Sequence, residues 1–303
     1  MCDQSRPLQP DLPLARQRYI GPMTSYQLLD SGDGRKLERF DTHVLNRPCS
    51  QAVWRPELNR SAWQQADATF TREAKDSYWR FRNRPDDDWQ VMIDGLRFGL
   101  RPTDFGHVGI FPEHQRAWKW VADSAEGCEP GELEVLNLFA YSGGATLAAA
   151  RAGFKVCHLD ASKKMLQWAR DNAALNGLQD APIRWICDDV NKFLKREQRR
   201  GRRYAGIILD PPSFGRGTNH EVFKIDNHLR ELLDDCRHLL SDDPRFVFLS
   251  CHTPGYTPIV LEHLLGQMLS RFDGRIETGE MALAGKPDAR VIPSGSFGAW
   301  VKA

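Results

Sequence analysis

The stretch LEVLNLFAYSGGATLAAARAG, Leu133 to Gly153, decides the fold. An apolar run ends in a turn where Gly143 and Gly144 open a helix of small residues, and that helix stops at Gly153. Working outward, the same alternation repeats. KVCHLD (155–160) is a second strand, and Ser162 caps the helix KKMLQWARDNAALNG. IRWICDDV (183–190) is a third strand, with Asn191 as the expected cap of the helix KFLKREQRR. YAGIILD is a fourth. Ile225, Leu229, Leu232, Leu233, Cys236, Leu239 and Leu240 share one helical stripe. RFVFLSCH is a fifth strand, Thr257-Pro258 starts another helix, and RIETGEMAL and GSFGAWVKA read as two last strands. Strands alternating with helices predict an α/β fold, a Rossmann-like and mostly parallel sheet flanked by helices on both faces.

Upstream, the pattern differs. Residues 1–20 are Pro-rich and polar and read as a flexible arm, whereas residues 21–109 alternate short apolar runs with DSGDG, NRP, RNRPDDDW and DGLRFGL. Such turn-rich spacing predicts a small β-rich N-terminal module.

Composition excludes several classes. The 303 residues are 41% hydrophobic, enough for a substantial core. No apolar run is long enough to span a bilayer, and the first residues carry prolines and charges in place of a signal-type apolar stretch, so a soluble cytoplasmic protein is expected. The seven cysteines are scattered, with no C-x-x-C pair, so neither disulfides nor a zinc ribbon is expected, and no metal. Lys and Arg (41) exceed Asp and Glu (40) by one, so any nucleic-acid partner must be met by a local positive field.

Three successive strands end in acids, at Asp160, at Asp188-Asp189 and at Asp210. A glycine turn at a helix N-terminus admits a carboxylate or phosphate, and an acid at the second strand end suits ribose hydroxyls. The fourth strand runs into IILDPPSFGRG, Ile207 to Gly217, where Pro211 and Pro212 remove two donors and fix φ. Asp210 is thereby held for a planar substrate on which Phe214 can stack; the alternative is a Pro-rich strand exit whose Phe packs on the core.

In that order and spacing, NLFAYSGG, LDASKKMLQWARDNAALNG, CDDV and ILDPPSF resemble the class I S-adenosylmethionine-dependent methyltransferases. Within them the chain looks like the bacterial large-subunit ribosomal RNA methyltransferases that make 5-methylcytosine. The resemblance covers residues 110–303 as a methyltransferase domain. It implies that Phe139, Ala140, Tyr141, Gly143 and Gly144 cradle the methionine moiety of S-adenosyl-L-methionine. Asp160 would hold the ribose, Ser162 would lie near the adenine edge, and Asp188 or Asp189 would face its amino group. GHVGIFPEHQRAWKWV, Gly106 to Val121, resembles the segment that precedes the domain in this family, implying Phe111, Pro112 and Gln115 near the donor. The alternative for that segment is an apolar-packed linker.

Cys251, in FLSCHTPG, is expected as the nucleophile. Methylation of pyrimidine carbon 5 needs a thiolate added at carbon 6, and the related cytosine-5 enzymes place a Ser/Thr-Cys-Ser here. His252 replaces the final Ser and either lowers the thiol pKa or faces solvent. The alternative for Cys251 is a small buried hydrophobe. Asp210 would then bond the ring nitrogen. KREQRRGRR, Lys195 to Arg203, is the densest basic cluster, either a solvated face or a phosphate contact. The expected activity is methylation of cytosine carbon 5 in ribosomal RNA. The alternatives are nitrogen methylation of a nucleobase or small molecule with Cys251 inert, or a non-catalytic RNA-binding protein that keeps a vestigial cofactor pocket.

Overall fold

The computed structural model describes residues 24–72, 76–216, 222–285 and 290–303; the arm expected over 1–20 lies outside these residues. The N-terminal module is built on a sheet of β1 (Tyr26–Gly32), β2 (Arg35–Phe40), β3 (His43–Pro48), β4 (Ala68–Arg72) and β5 (Ser77–Phe81), in that spatial order. Its hairpins are antiparallel; β3 and β4 pair in parallel through a connection holding the short helix α1 (Arg60–Gln64). A second hairpin joins β6 (Gln90–Ile93) and β7 (Leu96–Gly99). Both β1–β2 and β6–β7 turn on an Asp-Gly pair with left-handed backbone, φ 50° and 73° at Asp33-Gly34 and 51° and 72° at Asp94-Gly95, the two-residue turn that matches strand twist.

The larger half holds α2 (Gln115–Asp123), β8 (Glu134–Leu138), α3 (Gly144–Arg151), β9 (Lys155–Asp160), α4 (Lys163–Leu175), β10 (Ile183–Cys187), α5 (Val190–Arg199) and β11 (Gly206–Leu209). It continues with the hairpin β12 (Phe214–Arg216) and β13 (Val222–Lys224), then α6 (Ile225–Arg237), β14 (Phe246–Cys251), α7 (Pro258–Met268), β15 (Gly274–Leu283) and β16 (Ile292–Lys302). The seven-stranded sheet runs β10-β9-β8-β11-β14-β16-β15, parallel from β10 to β14, with β16 inserted antiparallel beside β14. From β8 the chain winds outward to β9 and β10, then returns to place β11 on the other side of β8. That reversal opens a crevice at the carboxyl ends of β8 and β11, where open α/β sheets take ligands. Register aligns those ends: Leu138 opposite Leu209, and Leu209 opposite Leu249.

The sheet is buried on both faces. Leu136, Leu138, Leu209 and Leu249 pack under α5, α6 and α7, while Val135, Val156, Ile208 and Phe248 pack on the α2–α3 side. A third cluster joins Leu28, Phe40, Val91 and Phe98 of the N-terminal module to Trp118, Leu147, Ala173 and Ile292, so the core runs unbroken between the halves. Asn172 Nδ2 reaches the Ser142 carbonyl while its Oδ1 accepts from the Gly99 amide, tying β7 to α4 and to the crevice loop.

One local expectation is corrected. Asp189, and not Asn191, caps α5, accepting from the Lys192 amide at 3.1 Å, because β10 stops at Cys187 and the helix starts two residues early. The basic run lies on a largely solvated face where Arg196 pairs with Asp188 (2.6 Å), Arg200 with Glu197 (3.4 Å), Lys195 with Glu231 (3.6 Å) and Arg202 with Glu134 (3.7 Å). Among the described residues, no helix is long and apolar enough to cross a membrane.

Candidate active site

The crevice between β8 and β11 contains a pocket lined by Phe111, His114, Phe139, Tyr141, Gly144 and Asp210. Its floor is the loop after β8. Phe139 (φ 57°) and Tyr141 (φ 49°) both take left-handed backbone, a costly conformation for bulky residues that persists only where surroundings enforce it. Here they are enforced: the Ala140 amide donates to the Leu159 carbonyl (3.0 Å), the Tyr141 amide to Asp160 Oδ2 (2.9 Å), and the Ser142 hydroxyl donates to the Gly109 carbonyl. Gly143 (φ 94°) then caps α3, and a Cβ on Gly144 would lie 2.4 Å from the Trp118 ring. Beneath the loop, Asn137, Thr146 and His158 form a buried hydrogen-bonded chain. Gly144 and Ala145 line the cavity at the N-terminus of α3, a position suited to a carboxylate.

Asp160 links two loops, since its Oδ1 also accepts from the Ser162 amide at 2.8 Å. Burial raises its pKa, and these two amides counter the rise. Ser162 caps α4 through Met165, as the sequence implies. Asp188 is already engaged, with Oδ2 on Arg196 and Oδ1 on the Asp189 amide.

The roof comes from a 3₁₀ turn over Pro112–His114 that leads into α2. Side chains three apart eclipse in such a turn, so Phe111 and His114 both face the cavity, followed one helical face further by Trp118 and Val121. Gln115, expected near the donor, is rotated away and its amide reaches Thr24 Oγ1 at 3.3 Å. His114 takes the place expected of it.

The far wall is Asp210. Ser250 Oγ donates to Asp210 Oδ1 at 2.7 Å; His114 Nε2 lies 3.5 Å from Oδ2 and His252 Nε2 3.5 Å from Oδ1. The two imidazole Nε2 atoms are 3.1 Å apart. Burial opposes charge on Asp210, yet the two imidazoles and the Ser250 hydroxyl hold its carboxyl well below the usual range. Burial also opposes charge on His252, but Asp210, Glu113 and the Ser294 carbonyl carry its pKa up to about 9. His114 moves the other way: burial lowers it, Asp210 only partly restores it, and His252 lowers it further. At neutral pH the set is therefore Asp210⁻, His252⁺ and neutral His114. The three donor groups lie within 4.8 Å of one another, and a proton shared among them satisfies the set.

After Asp210, Pro211 is buried, Pro212 is exposed, and Phe214 on the β12–β13 hairpin is 51% exposed. Cys251 ends β14 beside β11, the strand position expected of the nucleophile, but its side chain is buried. Side chains alternate along β14, so Ser250 and His252 face Asp210 while Cys251 points to the opposite face, 1% exposed in the apolar cluster with Leu249, Leu261 and Leu265. Burial raises its thiol pKa, Thr253 opposes the rise, and Asp210 and Asp226 add to it.

The family pattern described as S-adenosylmethionine-dependent methyltransferase matches residues 42–261. The chain belongs to the S-adenosylmethionine-dependent methyltransferases. A solved S-adenosylmethionine-dependent methyltransferase from Agrobacterium tumefaciens is 39% identical, with a TM-score of 0.88 over 94% of this chain and 92% of that one. Ribosomal RNA large subunit methyltransferase K of Neisseria meningitidis serogroup B is 28% identical over 222 residues, and methyltransferase K/L of Shewanella frigidimarina is 34% identical over 156. The chain spans 61% and 21% of the lengths of these two relatives. Sequence reasoning missed His114, although its spacing of three from Phe111 was the available signal.

Proposed function

We propose that this methyltransferase transfers the methyl group of S-adenosyl-L-methionine to a nitrogen of a nucleobase in ribosomal RNA. The observation that carries the reading is the Asp210 carboxylate, fixed by Ser250 and flanked by a neutral and a charged imidazole at the cavity wall. The cofactor, when bound, supplies an electrophilic methyl group on sulfonium sulfur. Phe139, Ala140, Tyr141 and the Gly143-Gly144 turn would hold its amino-acid end, Phe111 would cover it, Asp160 would hold its ribose and Ser162 would lie near the adenine edge. Asp188, held by Arg196, or Asp189, whose Oδ1 caps α5, would face the adenine amino group.

Asp210 accepts an amino N–H of the base, with the Pro211 carbonyl beside it, and Phe214 stacks on the ring. Positive charge grows on the nitrogen as its bond to the methyl carbon forms, and the carboxylate offsets it. The departing proton moves towards Asp210 and the neutral His114, 3.5 Å away. A carbon-5 route through Cys251 would need the thiolate in the cavity, whereas the thiol is buried on the other face of β14 with a raised pKa. Ribosomal RNA as substrate draws support from the named relatives, and it implies a cytoplasmic location. The test is nucleoside mass spectrometry of ribosomal RNA with and without the gene, followed by reaction of wild type and Cys251→Ala in vitro. Loss of an N-methylated nucleoside supports the reading; loss of a carbon-5 methyl together with an inactive Cys251→Ala protein sinks it.

A further inference from the structure

Beside the active site, a second cleft lies between the N-terminal sheet and the segment leading into α2. It shares Ile110 and Phe111 with the first cavity, so the two meet at the active-site roof. Its rim carries Phe105, 73% exposed. An exposed phenylalanine on a loose loop would be unremarkable. This loop is pinned at every turn: the Thr103 amide and hydroxyl both donate to the His107 carbonyl (2.9 Å each) and the Gly106 amide donates to Thr103 (3.0 Å). From the sheet, Trp79 Nε1 reaches the Thr103 carbonyl (2.8 Å), Arg47 the Gly106 carbonyl (3.1 Å) and Arg72 the Phe105 carbonyl (3.1 Å). Gly106 sits against the Phe70 ring, where a Cβ would come within 2.5 Å. The fold therefore holds an apolar ring in water at a fixed position, at a cost in hydrophobic free energy that a stacking ligand would offset.

The walls fit a nucleotide. Lys36, Arg47 and Arg72 line the cleft, Lys36 and Arg47 paired with the buried Glu38 (3.1 and 2.6 Å) and Arg72 exposed, and the pKa of His107 falls to about 4 through burial first and then through these cations. Glu113 also lines it, with Oε2 buried and lacking a hydrogen-bond partner, an acceptor suited to a base amino or ring N–H.

We propose that this cleft is a second base subsite, in which Phe105 stacks on an unpaired nucleotide flanking the methylated one while the exposed Arg72 faces its phosphate. The subsite rests on the reading of the substrate as RNA. Single-stranded RNA is commonly held by aromatic stacking beside cations, and each stacked base contributes roughly fivefold to hundredfold in affinity.

The test is binding of a short fluorescein-labelled single-stranded RNA, at fixed salt, to wild type, Phe105→Ala and Phe105→Trp, with calorimetric titration of S-adenosylmethionine in parallel. Phe105→Ala is expected to weaken RNA binding at least fivefold and leave cofactor affinity unchanged, and Phe105→Trp to bind within about twofold of wild type. If wild type binds and Phe105→Ala binds equally well, the subsite is overturned while the RNA reading stands. If wild type takes up cofactor but no RNA, both are overturned.

Discussion

Nε2 of His114 lies 3.1 Å from Nε2 of His252, and each faces one oxygen of the same carboxylate, Asp210. Two imidazoles this close cannot both be charged without strong repulsion, so the pair shares one proton and Asp210 decides that His252 carries it. The active-site wall is thereby polarised, with a charged ring just after β14 and a neutral one on the 3₁₀ turn.

This polarity predicts a pH response. The folded pKa of His252, about 9, lies above the ordinary imidazole value of about 6.5, so its pairing with Asp210 contributes stability that is complete below about pH 6.5 and is lost as pH rises through 9. Imidazole NMR titration should show one midpoint near 9 in wild type, falling below 7 in Asp210→Asn. A wild-type protein with every histidine midpoint below 7 would contradict the assignment.

Cys251→Ala should leave methyl transfer within about twofold of wild type and cost on the order of 1 kcal/mol of stability, the scale of deleting one buried heavy atom. Incubation with RNA containing 5-fluorocytidine should give no covalent adduct. Urea unfolding and adduct electrophoresis check both halves.

Gly144→Ala should be damaging, since the new methyl would lie 2.4 Å from the Trp118 ring and Trp118 is itself packed against Phe98. A loss of about 1–3 kcal/mol and a marked fall in S-adenosylmethionine affinity are expected. Thermal melting with calorimetric titration measures them, and unaltered cofactor binding would show that the turn does not approach the ligand.

Glu197 on α5 has a fully buried side chain and accepts from both terminal nitrogens of Arg184 (2.7 and 2.8 Å) and from the Tyr204 hydroxyl (2.7 Å). Burial would raise its pKa, but Arg184 and Tyr204 bring it down to about 2, so its stabilisation is present above about pH 4.3 and is lost as pH falls through 2. Glu197→Ala, which leaves Arg184 and Tyr204 without their acceptor, should cost about 3–5 kcal/mol by urea unfolding at pH 7 while leaving cofactor affinity near wild type.

The sequence by itself determined the order of strands and helices, the Gly143-Gly144 turn and the acids at successive strand ends, because apolar periodicity and turn chemistry are local properties of the chain. It located Asp160 and Asp210 for the same reason, each being a carboxylate stated by its strand. Tertiary structure decided the rest. The phase of one 3₁₀ turn puts His114 in the cavity and sends Gln115 to Thr24, which composition cannot distinguish. The pleat of β14 turns Ser250 and His252 towards Asp210 and Cys251 into the core, so neighbours in sequence end on opposite sides of a sheet. Asp188 and the basic run are committed to each other and to distant acids, since a charge's partner is set by the whole fold and not by the residues beside it.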